Sequence, residues 1–325
     1  MTASGKIPHA YLFTGIAGIG KTSAAKAFAM ALNCREPIDL EACGQCPSCR
    51  KFKSGNFPDF LSIQPDGQNI RIQQIKDLNR RLNFAPATGG YRVCVIHPAE
   101  AMNDESANAF LKTLEEPPPG NLLILKVTDP LDLLPTIVSR CQKVPFHPLN
   151  AQDIEAWLLE KREIDKETAM LLSKICAGSP GRALKMVDSD FMAKRKAWLS
   201  KLMNLPGFSR DAALNMALEC ADEDRKKGLD LPVSGEAGMQ DMLTVWSNWY
   251  RDMLLLRVGG PPELLMNIDF SNALKNIAGS CNINVFVDCI MTVDRAQSDI
   301  RRMRNATLVM EHTVLRLNRL TETRQ

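Results

Sequence analysis

The stretch GIAGIGKT, Gly15 to Thr22, decides how the first half of this chain is read. It matches G-x-x-x-x-G-K-[ST] at every fixed position. AYLFT at 10–14 reads as a short apolar strand before it, and the Ala-rich run 21–33 reads as a helix after it. A glycine-rich loop in that setting turns several backbone N–H groups toward one point, where phosphate oxygens can sit. Lys21 adds a point charge, and Thr22 adds a hydroxyl suited to magnesium. Gly15, Gly18, Gly20, Lys21 and Thr22 therefore form a candidate site for ATP or ADP with Mg2+. Binding is implied; hydrolysis is a separate matter.

Outward from the loop, strand and helix alternate as far as residue 147. DFLSI (59–63), RVCVI (92–96), NLLILKV (121–127) and QKVPF (142–146) read as further strands. Residues 70–84 carry Ile72, Ile75, Leu78 and Leu82 at helical spacing. Residues 103–116 form a helix that Asn103 or Asp104 can cap, and PPPG ends it. Continuous apolar strands separated by helices predict an α/β domain, a five-stranded parallel sheet covered on both faces. From 148 to 190 the pattern gives three short helices, over 151–162, 165–177 and 180–188, and beyond 190 long amphipathic helices. Breaks are expected at 205–208, 231–238 and 258–263, with a last helix over roughly 284–322.

A hydrolase with this loop needs an acid at the end of a neighbouring strand to help hold magnesium, and a group to position water. The third strand instead runs into His97 and Pro98. Neutral imidazole is a poor ligand for magnesium, and proline offers none. His97 is expected to make a local hydrogen bond, and Glu100, three residues on, to point elsewhere. ATP turnover by the chain alone is expected to be negligible.

Cys34, Cys43, Cys46 and Cys49 read C-x8-C-x2-C-x2-C. Four thiolates with no open position suit a structural zinc ion. An iron–sulfur cluster is the rival, although such runs place their fourth Cys downstream, before a proline. The other six of the ten cysteines are scattered, and Cys94 lies in an apolar run, as a buried thiol would. The N-terminal stretch lacks the apolar region of an export signal, which favours a metal site over a disulfide frame.

The remaining bulk properties exclude more than they assert. Hydrophobic residues make up 45% and charged residues 24% of the 325, ordinary for a globular protein. A net charge of +3 does not by itself argue for nucleic acid. No apolar run approaches the ~18 residues of a membrane span, so no membrane partner is expected.

These pieces, in this order, resemble the clamp-loader subunits of bacterial DNA polymerase III, an AAA+ family. The resemblance is carried by PHAYLFTG (8–15), the phosphate loop, ALNC (31–34) with ACGQCPSC (42–49), ANAFLKTLEEPP (107–118), LLPTIVSRCQ (133–142) and GSPGRAL (178–184). It covers residues 6 to about 190; beyond that only a helical region of suitable length remains. HPAE after the third strand, where the ATP-hydrolysing gamma/tau motor keeps an acidic pair, places the chain nearer the delta-prime branch.

The resemblance implies a P-loop domain with an inserted zinc module (1–147), an all-α lid (148–190) and an all-α collar used in oligomerisation (191–325). It implies that Arg140 is an arginine finger serving a neighbour's ATP in trans, that Thr128 and Arg182 are nucleotide sensors, and that the helix bearing 112–116 lies near the clamp or DNA. Read alone, Arg140 is a surface residue capping a helix end, and Arg182 a solvated residue at a helix start. The implied partners are gamma/tau and delta subunits in a hetero-pentameric ring, the sliding clamp and primer–template DNA, in the bacterial cytoplasm at the nucleoid. The family carries more chain before PHAYLFTG to cover the adenine, so weaker adenine binding is expected here. The alternatives are an active gamma/tau-like motor, or an unrelated P-loop kinase or nuclease; for the last, neither an acceptor site nor an acid cluster is visible.

Overall fold

The computed structural model describes residues 7–222, 235–279, 281–302 and 304–322. The described chain divides into two compact units. One runs up to Ile154 and takes in Cys176–Arg182; the other is Glu155–Ile175 with the chain from Ala183 onward.

The first unit is built on five strands, each within a residue of its sequence reading: β1 (Ala10–Thr14), β2 (Phe60–Ile63), β3 (Arg92–Ile96), β4 (Asn121–Val127) and β5 (Gln142–Pro145). All pair in parallel, in the order β2-β3-β4-β1-β5. β3 and β4 are buried along their whole length, as central strands covered on both faces must be. The faces separate by alternation. Cys94 and Ile96 pack with Leu12, Leu123 and Leu125 on one side, and Val93 and Val95 with Phe13, Leu122 and Ile124 on the other.

Helix α1 (Lys21–Leu32) covers the second face through Ala25 and Ala29. A short α2 (Pro47–Lys53) follows within the cysteine segment. Helices α3 (Ile72–Leu82) and α4 (Asp104–Glu115) cover the first face through Ile75, Leu78, Phe110 and Leu114. α4 begins where Asn103 accepts a hydrogen bond from the Ser106 N–H at 3.0 Å, and Asp104 and Glu105 complement its first-turn dipole. Burying Phe110 and Leu114 contributes about 1.5–3 kcal/mol each. α5 (Pro135–Val138) is a single turn started by proline. The chain leaves β1 toward β2 on one side and leaves its neighbour β4 toward β5 on the other, so the connections part at the carboxyl ends of β1 and β4, which is where an open parallel sheet places a ligand.

Among the described residues the second unit is helical. Helices α6 (Ala151–Lys161), α7 (Lys166–Ile175) and α8 (Pro180–Val187) follow the sequence reading. Then come α9 (Phe191–Asn204), α10 (Arg210–Asp222), α11 (Gly235–Arg257), α12 (Ser271–Ala278), α13 (Ile283–Arg301) and α14 (Ala306–Glu322). Trp246 and Trp249 of α11 are buried in it, and the Trp246 indole N–H donates to the Trp198 carbonyl at 3.3 Å.

Two readings need correction. The single last helix is two, α13 and α14, packed against each other. Asn305 ends the continuity: its side chain accepts from the Leu308 N–H at 3.2 Å and so starts a new helix. The break expected at 231–238 falls outside the described residues as far as 234, and from Gly235 the chain is already α11. Residues 1–6, which bear on adenine coverage, also lie outside them.

Candidate functional site

β1 delivers the chain into the phosphate loop, and α1 starts directly from it, with Gly20 at the N-cap in a left-handed conformation. Gly18 is held at φ +75°, and a methyl group there would come within 2.5 Å of Ser179 Oγ. Ser179 and Gly181, in the turn opening α8, close on the loop: Ser179 Oγ donates to the Ala17 carbonyl, and the Gly181 N–H to Gly18, both at 2.9 Å. The turn before α8 thus holds the loop by one side-chain and one backbone hydrogen bond, and approaches too closely for a Cβ at Gly18 or Gly181.

Beside it lies a cavity of about 330 Å³ lined by Gly18, Gly20, Lys21, Thr22 and Thr128, all expected there, together with His97, Glu100 and Lys126. Gly15 stands at the loop's entrance, its N–H donating to the Thr128 carbonyl at 3.3 Å. Arg182 follows Gly181, and its N–H is held by Ser179 Oγ at 3.2 Å; the cavity wall takes Gly181 from this turn, not Arg182.

The electrostatics of the cavity are lopsided. Lys21 is 8% exposed and donates to the Gly15 and Ile16 carbonyls, so it folds back on its own loop. Lys126, on buried β4, is 3% exposed and donates to Thr22 Oγ1. Burial, with Lys21 and Lys26 nearby, pushes the Lys126 ammonium down to about 8. Burial also lowers Lys21, against the pull of Glu100. Burial and the two ammonium groups hold His97 below its ordinary value, hence neutral at pH 7. Glu100 is the carboxylate of this wall, contrary to the expectation that it points elsewhere. A 3-10 turn over Ala99–Ala101 swings it inward, where Oε1 accepts from the Thr128 N–H at 3.4 Å and Oε2 is buried without a hydrogen-bond partner.

Magnesium fits poorly here. The hydroxyl expected to hold it, on Thr22, already accepts from an ammonium, the end of β3 offers His97 and Pro98 where a carboxylate would stand, and the one carboxylate in the cavity wall, Glu100, faces the Lys21 and Lys126 ammonium groups.

Arg140 lies just beyond α5. Its guanidinium pairs with Glu115 Oε1 at 2.6 Å and also donates to the Thr136 carbonyl at 2.9 Å. The side chain is 35% exposed. It therefore both caps the helix end and presents a charged group at the surface.

At the far end of α1 the four cysteines converge. Their sulfurs all lie within 4.8 Å of one another, with Cys34–Cys46 and Cys43–Cys49 at 4.0 Å. Tetrahedral Zn–S bonds of about 2.3 Å put sulfurs ~3.8 Å apart, so the donor set suits one zinc ion, whereas a multi-iron cluster needs a wider cage. Backbone N–H groups of Arg35 and Cys49 pull the Cys46 thiol down to about 6, while burial pushes Cys49 up to about 12. Asn33 fixes the segment by exchanging hydrogen bonds with the Tyr91 backbone at 2.9 and 3.0 Å.

The reading from sequence missed Lys126, Glu100 and the docking of Ser179 and Gly181. Lys126 had a signal, being the one basic residue in NLLILKV. The other two depend on turns that periodicity does not show.

The loop and the sheet order define a P-loop fold. A family model described as DNA polymerase III, delta subunit, matches residues 1–150. The delta' subunit of DNA polymerase III from Bacillus subtilis is 30% identical over 96% of this chain and 91% of its own length. The delta' subunit from Pseudomonas aeruginosa is 41% identical over 54% of each chain. The tau subunit of Bacillus subtilis is 28% identical over 96% of this chain, but the match spans only 57% of that protein. The chain belongs to the family of DNA polymerase III delta' subunits.

Proposed function

We propose that the chain is a non-motor clamp-loader subunit. It joins gamma/tau and delta subunits in a hetero-pentameric ring that loads the sliding clamp on primer–template DNA at the bacterial nucleoid. Residues 148–190 act as its lid and 191–325 as its collar. Arg140 is supplied in trans to a neighbour's ATP, where an arginine finger stabilises charge on the transferring phosphoryl group. The cysteine cluster holds a structural zinc ion, and the phosphate loop holds nucleotide without turning it over, with Thr128 and Arg182 as its sensors.

The observation that carries this reading is the contrast between two places. β3 ends in His97 and Pro98, with no strand-end acid, while Arg140 stands partly exposed on the pairing carboxylate of Glu115. One position lacks the chemistry for hydrolysis, and the other offers a cation outward. The related tau match keeps a motor reading in view, and ATP turnover by the isolated chain at the rate of a working motor subunit would overturn the non-motor reading.

The test is reconstitution with motor and delta subunits. The isolated chain is expected to show negligible turnover. Arg140→Ala is expected to remove the turnover of the one interface it serves, where a finger is worth about 10³-fold or more, with assembly intact. Unchanged turnover in that complex would remove the finger assignment. Zinc measured in the same preparation is expected at one ion per chain, and a Cys49→Ser variant is expected to lose it.

A further inference from the structure

We propose that the phosphate loop takes the polyphosphate of a nucleotide without a divalent cation, the Lys126 ammonium standing where the cation would bind. The inference deepens the nucleotide reading above and rests on it. Thr22 is the residue from which a loop-bound metal takes its protein oxygen, and its Oγ1 accepts from Lys126 Nζ. Lys126 is held there by the sheet. It sits in β4, pairs in register with Phe13 of β1, and is 3% exposed, so the backbone that carries the ammonium is fixed in a central strand.

The charge balance agrees. Lys21 and Lys126 face one carboxylate, Glu100, and neither His97 nor Pro98 adds another. Adding a divalent cation beside two ammonium groups would set three like charges in one cavity. Adding a polyphosphate instead gives anionic partners to two ammonium groups that otherwise share the single carboxylate of Glu100. Two lysines then do what a lysine and a metal do in a hydrolytic loop, except that an ammonium cannot bind and orient a water molecule as a Lewis acid does. That fits a loop that binds without turnover.

Binding of ADP and of inorganic tripolyphosphate to the full chain, by calorimetry with magnesium and with excess chelator, tests this. The expected result is the same affinity in both conditions. Lys126→Met is expected to bind about tenfold or more weakly in chelator and to recover with magnesium, whereas Lys126→Arg keeps metal-free binding. Manganese, followed by its electron paramagnetic resonance, is expected to become immobilised with nucleotide on Lys126→Met and to stay free with the unaltered chain. Zinc content and circular dichroism check that each variant is folded. Binding that requires magnesium in the unaltered chain overturns the inference and leaves the nucleotide reading standing. A Lys126→Met variant that still binds in chelator as the parent does also overturns it. No binding in either condition overturns both.

Discussion

Arg195 in the helical unit and Lys126 in the sheet unit are buried alike, 1% and 3% exposed, but their surroundings differ. Around Arg195, Nη1 and Nη2 meet the two oxygens of Asp269 at 2.6 and 2.9 Å, Nη2 also meets Asn267 Oδ1 at 2.6 Å, and the guanidinium lies 5.5 Å from the Phe270 ring centre. Asp252 completes the network by accepting from the Asn267 N–H and side chain, both at 2.8 Å. Lys126 has one hydroxyl, a like charge from Lys21, and a carboxylate it shares with that lysine. A buried charge paired with a carboxylate and an amide inside the chain is part of the fold, even with the Arg195 Nε left without a hydrogen-bond partner. One left facing a cavity with too few counter-charges marks a place where an anion is expected.

The comparison can be broken most sharply at Arg195. Replacing it by Met strands Asp269 and Asn267, and a loss of about 3–5 kcal/mol is expected in denaturant unfolding. A loss under about 1 kcal/mol would mean that the network does not stabilise the unit.

A second matched cation, Arg92, sharpens the point inside the sheet unit. It pairs with Asp59 at 3.2 Å and donates to the carbonyls of Arg81, Phe84 and Ala85. Burial alone would raise the Asp59 carboxyl, but bonds from Thr88 and Ala87 and the charge of Arg92 outweigh it and hold it below the usual range. A depressed folded pKa means that the stabilisation is present above the ordinary carboxylate value, about 3.9, and is lost as pH falls through the lower folded value. Asp59→Asn is expected to cost about 1.5–3 kcal/mol at neutral pH. It is also expected to flatten the acid limb of a urea-unfolding series; an unchanged limb would reject the assignment.

The smallest effect has the opposite sign. Lys126→Met removes an under-matched buried charge, so a gain of about 0.5–2 kcal/mol is expected, read as a raised melting temperature without ligand. A loss of stability comparable to that of Arg195→Met would erase the distinction between the two cations.

Much of this architecture was legible because its signals are local. RVCVI and NLLILKV are apolar runs too short for helices, so β3 and β4 could be read directly, and Asn103 announced α4. The cysteine spacing likewise foretold a four-sulfur cluster. What escaped was set by turns and by distant contacts. Glu100 enters the cavity only because a 3-10 turn rotates it, and Ser179 reaches Ala17 across 162 residues of sequence. Arg301 and Arg302 seemed to continue a helix, whereas the cap at Asn305 starts another.

One further consequence lies in α1 itself. The phosphate loop leads into its first residue, Lys21, and Asn33 and Cys34 follow its last, Leu32. Each residue advances the helix by about 1.5 Å and turns it by about 100°. A single insertion or deletion within these 12 residues would therefore rotate the cysteine that closes the cluster out of phase with the glycines at the other end. The helix acts as a spacer of fixed angular setting, so tolerance to length change should be low in a stretch of this domain whose alanine-rich composition looks undemanding.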